Sequence, residues 1–257
     1  MSIKLGCQTI TFGADQKEDF PAVFAAVARA GYAGVEVGFR HIAGIPPEDL
    51  KRMLSAEGLE LAGSHIGGNL EDTDQAEGEK KILEQVLDYL NAMEVGVLMY
   101  SGLRGQGGEL LAQIEMLNRA AATCSARGVR LCYHNHDWEF ADGERIMRTL
   151  LEHAGPELAF GPDVGWVYRG GKNVIEFLDS VRDRVAYAHF KDFAGLEGER
   201  TNFVTLGEGG APLAEVGEWI KQNTPDIWVV AEQDRSGLPP EEAVTRNAAY
   251  LKSLFGE

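Results

Sequence analysis

Residues Glu109 to His134 read ELLAQIEMLNRAAATCSARGVRLCYH, and this stretch decides the fold. A helical run, Glu109 to Arg127, is closed by Gly128, and a short apolar run, Val129 to His134, follows at once. Glycine suits the position just past a helix, because it adopts left-handed backbone angles without a steric penalty. A short apolar run bounded in this way reads as a buried strand. The same order recurs near the front of the chain. A helix around Asp19 to Ala30 carries Phe20, Val23, Phe24 and Val27 at helical spacing, Gly31 stops it, and a strand runs from Gly34 to Phe39.

Working outward, the other strands read as Ile3 to Thr9, Leu59 to His65, Val97 to Tyr100, Leu158 to Asp163, Val185 to Lys191 and Ile227 to Glu232. The helices between them start near Pro46–Pro47 and span about Glu79 to Met93, Glu144 to His153, Val174 to Val181, Leu213 to Gln222 and Pro240 to Phe255. Proline suits a first helical turn, where its missing N–H would have had no partner. Asp192 to Pro212, polar and glycine-rich, reads as the longest loop. Strand–helix alternation of this kind predicts a parallel sheet with helices outside. Eight units in 257 residues predict an α/β fold, a single (β/α)8 barrel over residues 1–257, with an open doubly wound sheet as the rival. No GxGxxG follows the first strand and no GxxxxGK[ST] occurs, so dinucleotide and P-loop readings lose their support.

Hydrophobic residues make up 44% of the chain, enough for a sizeable core, and the net charge is −16. Such a surface repels phosphate backbones and anionic lipid, which predicts neither a nucleic-acid nor a membrane partner. There is no run of about 18 apolar residues. Cys7, Cys124 and Cys132 form no CxxC pair and are odd in number, as expected of free thiols in a reducing, cytoplasmic setting.

In a β/α barrel the chemistry collects where strands end. The fifth strand runs into Tyr133-His134-Asn135-His136-Asp137-Trp138-Glu139-Phe140. The sixth ends in Gly161-Pro162-Asp163-Val164-Gly165-Trp166, and the seventh contains Tyr187-Ala188-His189-Phe190-Lys191-Asp192. The eighth ends in Ala231-Glu232-Gln233-Asp234-Arg235. Four consecutive strands thus offer His134, Asp163, His189 and Glu232 at one rim. Mixed imidazole and carboxylate donors suit Mn²⁺, Zn²⁺ or Fe²⁺ better than Ca²⁺, which prefers oxygen alone. Each residue also has an ordinary reading. A strand-end histidine is often a structural hydrogen-bonder, and a strand-end aspartate is often a helix N-cap. Their coincidence on four neighbouring strands favours a metal site.

The segments YHNHxxEF, DxGW and HxKD resemble those of the xylose isomerase-like superfamily of TIM barrels. Its members include ketohexose 3-epimerases, keto-inositol dehydratases, dehydroshikimate dehydratases and the endonuclease IV branch. The resemblance implies one divalent metal, Mn²⁺ first, with Zn²⁺, Co²⁺, Fe²⁺ and Mg²⁺ as alternatives. It implies a sugar or cyclitol substrate and a possible homo-oligomer. Family enzymes commonly hold the metal with Glu, Asp, His and Glu. Asp163, His189 and Glu232 match the last three, whereas His134 stands where many relatives have Glu. His134 is favoured as the fourth ligand, with Glu139 as the alternative. Losing one of two opposing carboxylates weakens a two-glutamate epimerase reading and shifts weight towards dehydration or elimination beside a ketone.

On this reading Glu232 is ligand and base, and His136 a general acid/base, since imidazole titrates near neutrality. Glu139 and Lys191 complete the candidate catalytic set, Lys191 as a partner for a substrate oxygen or, more plainly, for Asp192. Candidate substrate-binding residues are His65, Glu36, Trp138, Trp166 and Arg235, with the two indoles as walls for a sugar face and Arg235 as the nearest cation for an anionic group. No phosphate cradle is evident, so an unphosphorylated substrate is expected. The alternatives are a DNA-repair endonuclease and a non-catalytic sugar-binding barrel.

Overall fold

The computed structural model describes residues 3–68, 73–105 and 107–256. Its strands are β1 (Lys4–Gln8), β2 (Gly34–Gly38), β3 (Glu60–Gly67), β4 (Val97–Ser101), β5 (Arg130–Tyr133), β6 (Ala159–Phe160), β7 (Tyr187–Phe190), β8 (Asp192–Phe193), β9 (Phe203–Val204) and β10 (Trp228–Ala231). The helices are α1 (Phe20–Ala30), α2 (Phe39–Ile42), α3 (Pro47–Ala56), α4 (Thr73–Met93), α5 (Gly107–Ala126), α6 (Ala141–His153), α7 (Val164–Arg169), α8 (Val174–Val181), α9 (Leu213–Asn223) and α10 (Pro240–Phe255).

Eight strands pair in parallel in the order β6-β5-β4-β3-β2-β1-β10-β7. The last seam, between β6 and β7, is thin. It holds two bridges, Phe160 to Val185 and Asp163 to His189. Two hydrogen bonds cross it, from Ala186 N to Phe160 O (3.0 Å) and from His189 N to Pro162 O (2.8 Å). These close the sheet into a TIM barrel. The sixth strand is shorter than its apolar run predicts because Gly161–Pro162 interrupts it, and Pro162 has no N–H for the ladder. A Cβ on Gly161 would come within 2.2 Å of the Met99 methyl, so the glycine makes room for that side chain.

Two apolar layers flank the sheet. The larger lies between strands and helices and includes Phe24, Val27, Val35, Leu50, Leu98 and Leu131. The smaller comprises Ala62, Met99, Cys132, Ala159, Ala186, Tyr187 and Val230, with Trp228 and Val97 packed against it. The Trp228 indole reaches within 2.8 Å of where a Gly34 Cβ would sit, so Gly34 makes room for it. Successive side chains on a strand face opposite ways. Stepping by two from this inner layer therefore leads along each strand to a polar residue: Cys132 to His134, Tyr187 to His189 and Val230 to Glu232. The apolar plug and the polar site are stacked layers of one barrel interior.

The stretch from Asp192 to Pro212 is more ordered than a loop reading predicts. It contains the antiparallel pair β8–β9, with Asp192 opposite Val204 and Phe193 opposite Phe203. The Asp192 carboxylate accepts the backbone N–H groups of Phe193, Gly207, Gly209 and Ala211 at 2.9–3.1 Å. Four charge-assisted bonds on one side chain tie the base of this excursion together.

Candidate metal centre and active site

His134, Asp163 and Glu232 each lie just past a strand end, the first and last still held by a ladder bond and Asp163 bridged to His189. His134 N donates to Tyr100 O (2.8 Å) and Glu232 N to Phe190 O (2.9 Å). Asp163 carries two duties. Its Oδ1 accepts Trp166 N at 2.9 Å and so caps α7, which leaves Oδ2 turned inward. The plain N-cap reading and the ligand reading are both satisfied by one carboxylate. Asn135, which the sequence reading passed over, pairs its side-chain amide with both backbone groups of Asp163 (3.1 and 3.2 Å) and fixes that turn.

His134, Asp163, His189 and Glu232 each present a ligand atom, and these atoms lie within 4.8 Å of one another, all buried. Four atoms among these residues, His134 Nδ1, Asp163 Oδ2, His189 Nδ1 and Glu232 Oε2, are buried without a hydrogen-bond partner. Two of these atoms, His189 Nδ1 and Glu232 Oε2, sit 2.6 Å apart as an ion pair, and Asp163 Oδ2 lies 3.3 Å from Lys191 Nζ. Buried polar atoms are almost always hydrogen-bonded, so a group that is not needs a reason. Four donor atoms of two imidazoles and two carboxylates gathered this closely suit a shared cation. The other nitrogen of His189, Nε2, lies 2.7 Å from Glu36 Oε2. A divalent cation at the centre would displace the second proton that Glu36 and Glu232 favour on this ring, leaving the Nε2 proton towards Glu36 and Nδ1 as a ligand.

The electrostatics follow from burial. Desolvation alone would lower the His189 pKa, but Glu36 and Glu232 outweigh it and push it to about 10. Burial also disfavours the Glu232 carboxylate, yet Lys191 and His189 hold its pKa well below the usual range. Asp163 is raised to about 7 by burial, with Glu232 adding to the rise and Lys191 opposing it. Burial keeps His134 and His136 neutral, with pKa values well below the ordinary one.

Several expected site residues take places other than the predicted ones. Glu36 is fully buried and bonded to His189, so it supports a candidate ligand from behind instead of meeting substrate. Glu139 is also fully buried. It accepts Tyr133 Oη (2.7 Å) and His136 N (2.8 Å), which bends the chain after β5, and it lies outside the four-residue cluster. Lys191 does not pair with Asp192. Its Nζ lies 2.7 Å from Asp234, 3.3 Å from Asp163 and 3.4 Å from Glu232, and it is 1% exposed. Asp234, two residues beyond Glu232, is thus a partner that sequence reasoning missed.

The aromatic residues are more enclosed than expected. The Trp138 indole stacks on His136 (centroids 3.9 Å apart, 13° between planes), and Arg104 lies 3.7 Å from it. Trp166 is buried against Phe193 and Phe203, with the Lys191 and Arg200 cations over its ring. Neither indole offers an open face. His136 and His65 do border the centre, with ring centroids 4.9 and 5.8 Å from that of His134. His65 Nε2 is 3.1 Å from Ser101 Oγ, and this histidine also lines a 320 Å³ cavity with Gln8, Gln16, Arg40 and His41. Arg235 is exposed on the rim.

The sequence pattern described as "Xylose isomerase-like TIM barrel" matches residues 24–254. The chain belongs to this family. Among relatives of the xylose isomerase-like barrel, the inosose dehydratase of Clostridium perfringens (strain 13 / Type A) is 25% identical, with 98% of this chain and 97% of that protein covered. The inosose dehydratase of Geobacillus kaustophilus is 29% identical over 189 residues, 66% of this chain and 61% of that one. A sugar phosphate isomerase/epimerase from Parabacteroides distasonis superposes with a TM-score of 0.81 at 23% identity, covering 98% and 95% of the two chains. At that identity the likeness speaks for the fold. Within this xylose isomerase-like barrel, His134 stands in the donor cluster where Glu139, its rival, does not. No helix among the described residues is long and apolar enough to cross a membrane.

Proposed function

We propose that this chain is a divalent-metal-dependent enzyme that isomerises, epimerises or dehydrates a keto-sugar or cyclitol. His134, Asp163, His189 and Glu232 would hold the ion. The observation that carries this reading is the buried gathering of four potential ligand atoms, within 4.8 Å of one another, on those residues. Two imidazoles and two carboxylates fit Mn²⁺ first, and Zn²⁺, Co²⁺, Fe²⁺ or Mg²⁺ after it. When bound, a divalent cation supplies Lewis-acid stabilisation of the negative charge that develops on a ketone oxygen.

The chain's own groups divide the remaining work. Glu232 is held as a carboxylate by Lys191 and His189, so it is ready to take a proton from the carbon next to the carbonyl. His136 is kept neutral by burial, with Nδ1 unpaired. It is placed to take or return a proton at a substrate hydroxyl. Loss of that hydroxyl as water gives dehydration, and its retention with proton return to carbon gives isomerisation or epimerisation. Lys191 stays cationic under three carboxylates and acts as their fixed counter-charge. His65 meets the substrate from the opposite wall. Names of relatives, inosose dehydratase among them, support the dehydratase branch. The acidic surface supports a small-molecule partner over a nucleic acid, and three free buried cysteines support a reducing, cytoplasmic setting. Residues 1–257 are read as one catalytic domain.

The test is metal analysis of purified protein, wild type and Glu232→Gln, with solvent-deuterium exchange into a panel of keto-sugars and inosose. One equivalent of metal in the wild type, its loss in the variant, and exchange at carbon are expected. Metal retained with no exchange and no product in any panel member overturns the proton-abstraction reading.

A further inference from the structure

The excursion between β7 and α9 ends in a side chain that the reading above leaves unused. Arg200 reaches across the mouth of the barrel to Asp137, 63 positions away in sequence. Its Nε lies 2.8 Å from Oδ2 and its Nη2 2.6 Å from Oδ1. The guanidinium sits 4.4 Å from the Trp166 ring and 5.2 Å from Trp138. Both rings contact His136, which adjoins His134. Arg200 is therefore stationed in the tier directly outside the candidate metal centre.

Its place is built, not loose. The base of the excursion is tied by Asp192 as described. Farther out, the Arg169 guanidinium, at the end of α7, donates to the carbonyls of Leu196, Gly198, Glu199 and Arg200. The helix that Asp163 caps thus also carries the residue that shapes the backbone presenting Arg200. Half of the Arg200 side chain stays exposed (46%), and among the described residues its Nη1 has no partner. A planar fork with two nitrogens spent on one carboxylate keeps a donor in a fixed direction. Asp137 also cancels its charge. A neutralised, oriented N–H donor suits a hydroxyl or carbonyl oxygen and offers little to a phosphate or carboxylate.

We propose that Arg200, held by Asp137, is a substrate-positioning and specificity-determining residue that binds an uncharged, hydroxyl-bearing end of the substrate and disfavours anionic analogues. The assignment rests on the sugar or cyclitol reading and narrows it to unphosphorylated substrates.

The test compares wild type, Arg200→Ala, Arg200→Lys and Asp137→Asn on matched pairs of unphosphorylated and phosphorylated ketoses and on inosose. Isothermal titration and intrinsic tryptophan fluorescence are read beside turnover. For Arg200→Ala, KM and Kd for the neutral ligand rise about tenfold or more, with a smaller change in kcat, and Lys does not restore them. For Asp137→Asn, which frees the charge, preference shifts about tenfold towards the phosphorylated partner of each pair. Ligand-induced quenching of Trp138 and Trp166 fluorescence in the wild type disappears in Arg200→Ala. A wild type that binds and turns over ketoses, with both variants within twofold of it in KM and in neutral-to-anionic preference, overturns the role of Arg200 and leaves the reaction standing. A wild type that binds no member of the panel overturns both.

Discussion

Asp163 carries a cap with one oxygen and faces the donor cluster with the other, so its two roles separate by substitution. Asp163→Asn keeps an oxygen for Trp166 N. It is expected to fold normally and to lose metal affinity by more than the roughly 10–100-fold typical of losing an outer partner. Asp163→Ala should lose the cap as well, for about 1 kcal/mol of additional destabilisation. Dialysis against Mn²⁺ and chemical denaturation read the two effects independently. Glu36→Gln tests the support behind His189. Weakening the Nε2 bond should lower metal affinity by roughly 10–100-fold while leaving the four donors in place, and calorimetric titration measures it. Unchanged affinity would remove Glu36 from the account.

Glu139 makes a prediction about pH. Burial raises its pKa from 4.5 to about 7, against the bonds from Tyr133 and His136. A carboxyl with a raised folded-state pKa favours folding in its protonated form. That contribution is complete below pH 4.5 and is lost as pH rises through 7. The shift corresponds to at most about 3.5 kcal/mol, on the order of 1.4 kcal/mol per unit. Glu139→Gln cannot ionise, so its stability should fall less than the wild type's between pH 5 and 8 in urea titrations. Parallel curves for the two proteins would contradict the burial argument.

At the scale of elements, the excursion between β7 and α9 depends on Asp192. Replacing it by Ala leaves the N–H groups of Phe193, Gly207, Gly209 and Ala211 without their acceptor. Unpaired buried donors cost about 1–3 kcal/mol each, and water will reach some of them here. A loss of roughly 2–4 kcal/mol is expected, with new proteolytic cuts confined to residues 193–211. Cuts spread over the whole barrel would mean that Asp192 supports the fold at large. The reading of this stretch as a plain loop followed from its polar, glycine-rich composition. Its order comes from one buried carboxylate and a two-residue ladder, which leave no periodic trace. The sixth strand shows the reverse: an apolar run predicted six residues of strand, and a single proline reduced the ladder to two.

The barrel as a whole stores like charge at its mouth. Glu36, Asp163, Glu232 and Asp234 are balanced there by Lys191 and the His189 imidazolium. Adding a divalent cation to such a centre should stabilise the native state by mass action, about 2.7 kcal/mol at a hundredfold excess over Kd. For a chain of this size that corresponds to a rise of roughly 5–10 °C in Tm. Thermal melts with Mn²⁺, then with chelator in excess, check it. Identical melting curves in both would sink the metal assignment.

The sequence by itself determined the alternation of strands and helices, the ends of most helices, and the four residues that gather at one rim. Those depend on periodicity, on glycine and proline, and on the rule that polar residues at strand ends face one mouth. Which groups those residues touch was decided only in three dimensions. Glu36 lies 153 positions from His189, and Arg200 lies 63 from Asp137. Barrel closure brings the first pair together and a folded excursion brings the second. Pairing between distant side chains is set by the tertiary path of the backbone, and no local pattern encodes it.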